Sequence, residues 1–235
     1  MNYNLVALDP SLISTGLVIN GKVFNYCRES DAVNKKGFSK WFDLCKNNIT
    51  YKYIDLSVSG DYSETEMNKL KLYYKITNDI ILTIKNNIDN TLKTKIAIEG
   101  YSYSSAAGPL IDLVTFSTLL RSKLLNITDD ITILSPSTLK LESCKLTYKP
   151  IEKIIGGKKP RTELLYKNNI GIAGGSFTKT EMFEALIEND NFNDDYCTFL
   201  KSNKEVILAS SKIPKPLEDT NDSYLLYLYL KSISN

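Results

Sequence analysis

An apolar run that ends in a carboxylate, turns at once and returns constrains this chain more than any other feature. It reads Leu5-Val6-Ala7-Leu8-Asp9-Pro10-Ser11-Leu12-Ile13-Ser14-Thr15-Gly16-Leu17-Val18-Ile19. The pattern predicts a β-strand that delivers Asp9 to its end, a tight polar loop, and an antiparallel return strand. Asp is poor in strand interiors, so Asp9 either starts the turn or is an acidic ligand held on a rigid strand end. Asn20-Gly21 closes the return strand with the strongest short hairpin signal, so Lys22 to Tyr26 is expected to run back as a third strand.

The same logic recurs at Lys95-Ile96-Ala97-Ile98-Glu99-Gly100, again an apolar run that ends in an acid. Between the two lies a clear helical pattern over 64–90. Its apolar stripe is Met67, Leu70, Tyr74, Ile81 and Ile84, with Leu72, Ile76 and Ile80 beside it. Two strands joined by a helical crossover are expected to pair in parallel, with both acids at one sheet edge. That edge is where open α/β sheets build their sites. Tyr51 to Val58 reads as a further short strand or its approach. Trp41 is either core or a base-stacking residue, and Phe42 and Leu44 are expected to pack on the sheet. Pro109 to Leu125 follows as a helix, Ile131 to Leu134 as a strand, and Ser135 to Lys140 as a turn opening a short helix. This rhythm defines an α/β class, and the length of 235 residues fits a single domain over 1–235.

Residues 143–176 break the rhythm. They hold Gly156-Gly157, Gly171 and Gly174-Gly175 together with Lys145, Lys149, Lys153, Lys158, Lys159, Arg161 and Lys167. A Gly-rich basic insertion is expected there. Basic residues interleaved with Tyr148 and Tyr166 suit phosphate and base contacts, and equally a solvated loop. No GxxxxGK[ST] occurs, which leaves P-loop nucleotide hydrolysis without support. Phe177 to Ile187 reads as a helix with Thr178 as N-cap and Glu181 at the capping-box position. An acidic irregular stretch over 189–212 and two prolines, Pro214 and Pro216, precede the last helix. Asp219 and Asp222 stand three apart and share one face of its first turn. Acids are favoured at a helix N-terminus, which accounts for Glu218. Two on one face, ahead of the apolar run Tyr224 to Leu230, exceed what capping needs.

Composition removes several chemistries. The chain has no histidine, which excludes His-based triads, and its four cysteines include no CxxC pair, which argues against structural zinc. Cys27, Cys45, Cys144 and Cys197 are expected to be reduced and packed. A net charge of +2 neither demands nor excludes a polyanionic partner, so any nucleic-acid surface must be a local patch. No secretory signal pattern and no apolar stretch of about 20 residues occur, so a soluble, cytoplasmic protein is expected. Four carboxylates brought within a few ångströms would repel, and Mg²⁺ or Mn²⁺ resolves that repulsion. Such ions support phosphodiester hydrolysis, with Lys179 placed to stabilise developing negative charge.

Taken together, Ala7 to Gly16, Ala97-Ile98-Glu99, Ser135 to Lys140, Lys179 to Met182 and Asp219 to Ser223 resemble the RuvC family of Holliday-junction resolvases, particularly its phage-type members. The resemblance implies a ribonuclease H-like fold, with a mixed five-stranded sheet flanked by helices and the basic insertion added to it. It implies a homodimer that nicks four-way DNA junctions in recombination or repair, using Mg²⁺ (two ions per site) and acting inside a cell, including a phage-infected host. It assigns Asp9, Glu99, Asp219 and Asp222 as metal ligands and Lys179 as their basic companion. Tyr101 or Tyr103 would serve at the junction crossover; Lys140, Lys179 and, from the basic insertion's own composition, Lys158, Lys159 and Arg161 are the other expected DNA contacts. The chain departs from the family in its long insertion and in lacking a His after the last Asp. Other readings are a ribonuclease H-like nuclease for RNA–DNA hybrids or flaps, and a non-catalytic nucleic-acid-binding protein of this fold. An actin-like or sugar-kinase ATPase would need two such domains.

Overall fold

A computed structural model describes residues 3–28, 39–55, 57–101, 107–156 and 161–234. Its centre is a mixed sheet. Strands β1 (Tyr3–Asp9), β2 (Ser14–Ile19) and β3 (Lys22–Arg28) form an antiparallel meander. Asn20 and Gly21 between β2 and β3 both have positive φ, 50° and 89°, as a two-residue primed turn requires. Strands β4 (Ile49–Ile54), β5 (Lys93–Glu99) and β6 (Ile131–Leu134) complete a six-stranded order β4-β3-β2-β1-β5-β6. Strand β5 runs parallel to β1, with Leu8 opposite Ile98. The expected five-stranded arrangement is therefore present and is extended by β4, which starts at Ile49 rather than Tyr51 because it pairs in parallel with β3 from Val23 onward.

Alternation along the strands divides the core into two. Val6, Leu8, Leu17, Ile96 and Ile98 face helices α2 (Tyr62–Asn87) and α3 (Ala107–Leu124). Leu5, Ala7, Val18 and Ala97 face the other layer, in which Trp41 of α1 (Ser39–Cys45) is core. That layer also contains α4 (Pro136–Thr147), α5 (Lys179–Glu188), α6 (Asp195–Ser202) and α8 (Leu217–Ile233); the short α7 (Lys204–Leu208) adds Ile207. All four cysteines are buried as thiols. Helix α8 is nearly enclosed, with Leu217, Thr220, Tyr224, Leu225, Leu226 and Leu228 all buried against the strands and neighbouring helices.

Helix α2 corrects the expected stripe. It starts at Tyr62 because Asp61 caps it, accepting a hydrogen bond from the Glu64 backbone N–H. Its buried residues are Tyr73, Ile76, Thr77, Ile80, Thr83 and Ile84, whereas Met67, Leu70 and Tyr74 are exposed. Length explains this: 26 residues make about 39 Å of helix, against about 23 Å for a seven-residue strand. The C-terminal end of α2 is tied to the start of β1, where the Asn4 side chain bonds the Asp89 backbone, so its first turns overrun the sheet. Helix α3 lies parallel to it, since Lys69 meets Asp112 and Lys123 meets Asn78. The first buried apolar side chain is Tyr73 in α2 and Phe116 in α3 among the described residues.

The insertion is more ordered than a loop. Helix α4 continues to Thr147, and strands β7 (Ile151–Ile155) and β8 (Arg161–Leu165) form an antiparallel hairpin. The hairpin leaves Ile151, Ile154 and Leu164 exposed. The chain then returns through Gly174–Ser176, where Gly174 lies so close to Cys144 and Leu141 of α4 that no side chain would fit. Between α5 and α8 the acidic stretch folds as the two short helices α6 and α7.

Candidate active site

Strand register places the first two acids. Asp9 follows Leu8 and Glu99 follows Ile98, and Leu8 and Ile98 are partners, so both carboxylates end adjacent parallel strands on the α8 face. Helix α8 crosses β1, β2 and β5 at this edge. Its first turn can lie so close because Gly16, the partner of Asp9 in β2, has no side chain. A Cβ there would strike the Asp219 carbonyl oxygen and Ser223 Oγ. Ser223 Oγ donates to the Asp219 carbonyl at 3.2 Å and fixes that turn from the helix side.

The result is a tight acidic group. One carboxylate oxygen from each of Asp9, Glu99 and Asp222 lies within 4.8 Å of the others. Asp9 and Asp222 are buried and Glu99 is half-buried. Lys179, the first residue of α5, reaches Asp222 Oδ2 with its Nζ. The expected capping box holds that helix start, with Thr178 and Glu181 bonding reciprocally. Asp219 stands apart from the tight group. Its Oδ2 pairs with Lys215 Nζ at 3.4 Å and its carboxylate faces the Ser14 hydroxyl, so this fourth expected ligand is held one turn away from the other three.

Electrostatics follow from burial and crowding. Burial, then the charge of Glu99, pushes the Asp9 carboxyl well above the usual carboxylate range. Glu99 is raised chiefly by burial, with Asp222 and Asp219 adding repulsion. Burial pushes Asp222 up to about 7 against the pull of Lys179. Burial works against the charge on Lys179, but Asp222, Asp9 and Glu99 outweigh it and hold the ammonium above its ordinary value. A single ammonium cannot balance three carboxylates, so full ionisation of this edge requires another cation. The donor set fits a hard divalent ion: every ligand atom is a carboxylate oxygen, and Asp222 Oδ1 is buried with no hydrogen-bond partner.

Around this group the other expected residues are dispersed. Tyr101 follows β5 closely, its ring beneath the Arg121 guanidinium at 4.3 Å. Lys140 lies in α4, where its charge acts on Glu181. Arg161 opens β8 in the hairpin. Tyr103, Lys158 and Lys159 lie outside the described residues. Two cations went unread in the sequence. Lys215 precedes Asp219 by four residues, a spacing that signals an ion pair. Arg121 donates to the Glu99 carbonyl at 3.3 Å, and nothing in its local sequence announces that contact.

No protein-family model matches the chain. No curated protein sequence matches it either. Among solved structures it is similar to Thermus thermophilus RuvC in complex with a Holliday junction substrate, at 8% identity and a TM-score of 0.43, covering 98% of this chain and 96% of that one. A second Thermus thermophilus RuvC structure gives 9% identity and 0.42 over the same shares. The Aquifex aeolicus Ppx/GppA phosphatase gives 9% and 0.28 over 90% of this chain and 65% of that one. At such identities and scores the activity of a neighbour does not carry over to this chain. No helix among the described residues is long and apolar enough to cross a membrane.

Proposed function

We propose that the chain is a divalent-metal-dependent endonuclease that resolves four-way or otherwise branched DNA by phosphodiester hydrolysis. The observation that carries this reading is the group of three carboxylates, Asp9, Glu99 and Asp222, closed by Lys179 at one sheet edge. Asp9, Glu99 and Asp222 would hold Mg²⁺ or Mn²⁺, with Asp219 beside them as the fourth acid. When bound, the metal would supply Lewis acidity and an activated water at neutral pH. The chain's own residues do the rest. The strands fix Asp9 and Glu99, and α8 fixes Asp222. Lys179 orients Asp222 and offers a positive charge where negative charge develops on the phosphate. The ring of Tyr101, with Tyr103, suits stacking at an opened base pair, and Lys140, Lys158, Lys159 and Arg161 suit contacts to DNA phosphates. A homodimer would pair two such sites for symmetric nicking.

The test is cleavage of a synthetic four-way junction in Mg²⁺, set beside an RNA–DNA hybrid and a flapped duplex, with Asp222→Asn as control. Junction cleavage that needs both Mg²⁺ and Asp222 supports the reading. Preference for the hybrid or flap would reassign the substrate. Binding without cleavage of any of the three would make the chain a binding protein.

A further inference from the structure

We infer that Arg121 is a positioning residue for the metal centre, acting by locking the peptide that follows Glu99. The inference rests on reading the acid group as a metal site. Glu99 is the last residue of β5, and the direction of its carboxylate depends on the peptide unit joining it to Gly100. That unit is gripped at both ends. Its carbonyl accepts a hydrogen bond from Arg121 Nη2 at 3.3 Å, and its N–H donates to the Leu134 carbonyl at 2.6 Å. The β6 bond is ordinary sheet pairing. The Arg121 bond comes from α3, 22 residues away in sequence and on the opposite face of the sheet.

The guanidinium is itself held flat. Its central carbon lies 4.3 Å from the centre of the Tyr101 ring, and the Tyr101 hydroxyl lies 3.4 Å from Thr118 Oγ1, one turn before Arg121 on the same helix. Arg121, Glu99 and Tyr101 thus close a small ring of contacts around the strand end. A planar cation can stack on an aromatic face and bond a carbonyl at the same time, which a lysine ammonium does less well. Arg121 Nε is buried without a partner, a cost that an apolar residue in its place would not carry. Arg121 bonds the Glu99 backbone, so it works through orientation. Lys179 is the cation that meets a carboxylate of the group directly.

The experiment is Mn²⁺ binding by calorimetry, without DNA, on the wild type, Arg121→Gln, Arg121→Lys and Tyr101→Leu, well below each protein's melting temperature. The expected result is a tenfold to hundredfold loss of Mn²⁺ affinity in Arg121→Gln, of the order seen when groups supporting a metal ligand are removed. Arg121→Lys keeps the charge and is expected not to restore the affinity. Tyr101→Leu removes the ring without touching the core and is expected to give a similar loss that does not add to that of Arg121→Gln. Full rescue by Arg121→Lys, or unchanged affinity in Arg121→Gln and Tyr101→Leu, overturns the inference and leaves the nuclease reading intact. A wild type that binds no Mn²⁺ overturns both. Should Arg121→Gln fail to fold, Tyr101→Leu alone decides the matter.

Discussion

The acid-bearing sheet edge and the β7–β8 hairpin handle charge in opposite ways. At the edge, Asp9, Asp219 and Asp222 are buried, and strands, Gly16 and α8 leave them little freedom. In the hairpin, Lys153 stands opposite Glu163 in the strand register and is exposed, and Ile154 is 75% exposed. Residues 149–167 hold six Lys or Arg against two Glu in a chain of net charge +2. Burying charges costs stability unless they are paired or bind a metal, whereas surface charges cost almost nothing. The edge therefore reads as a place of chemistry and the hairpin as a place of contact.

The sharpest way to break this contrast is to remove one buried acid. Asp222→Asn should lower cleavage by at least about 10³-fold, roughly 4 kcal/mol of barrier, while raising the melting temperature of the metal-free protein by easing repulsion. Loss of activity together with loss of stability would mean that Asp222 holds the fold together instead. Next comes the close approach of α8. Gly16→Ala forces a methyl group against the Asp219 backbone and should destabilise by about 3 kcal/mol in urea unfolding. A loss below about 1 kcal/mol would show that the turn can yield.

The third effect is on pH. Burial raises Asp9, Glu99 and Asp222, the last to about 7, so below that pH the folded metal-free protein holds protons that the unfolded chain has already released. Its stability should therefore fall as pH rises from the ordinary carboxylate range through about 7. Thermal melts should give a lower midpoint at pH 8 than at pH 5.5, and Mg²⁺ should reverse the difference at pH 8 by several degrees. A midpoint that rises with pH would show that Lys179 already neutralises the group. The smallest effect belongs to the hairpin. Ile154→Lys should change stability by less than about 0.5 kcal/mol and steepen the salt dependence of DNA binding by about one unit of slope. A larger stability change would mean that the hairpin is packed against something.

Asp9 and Glu99 were legible because a carboxylate closing an apolar strand is conspicuous and strand period fixes which face it takes. The capping box at Thr178 and Glu181 was legible for the same reason: the signal is local. Asp222 was legible from its spacing with Asp219 ahead of an apolar run, and Lys179 as a basic residue for such a site, although nothing in the spacing says that the two touch. The Asp219–Lys215 pair was missed although its spacing of four residues is a local signal. The Arg121 bond was hidden because it joins residues distant in sequence and goes to a backbone oxygen, to which sequence patterns are blind. The stripe through Met67, Leu70 and Tyr74 misled because periodicity shows which positions share a face and is silent on where the sheet beneath them ends. The hairpin was hidden because glycines and charges mask its alternation.

The overrun of α2 and α3 gives the site a direction. The first turns of α2, ahead of Leu72, hold no buried residue and extend beyond the packed core on the face away from α8. They stand behind Asp9 and Glu99 like a backboard, braced by the Lys69–Asp112 pair between the two helices. Anything that reached Asp9 and Glu99 from that side would meet these two helices first.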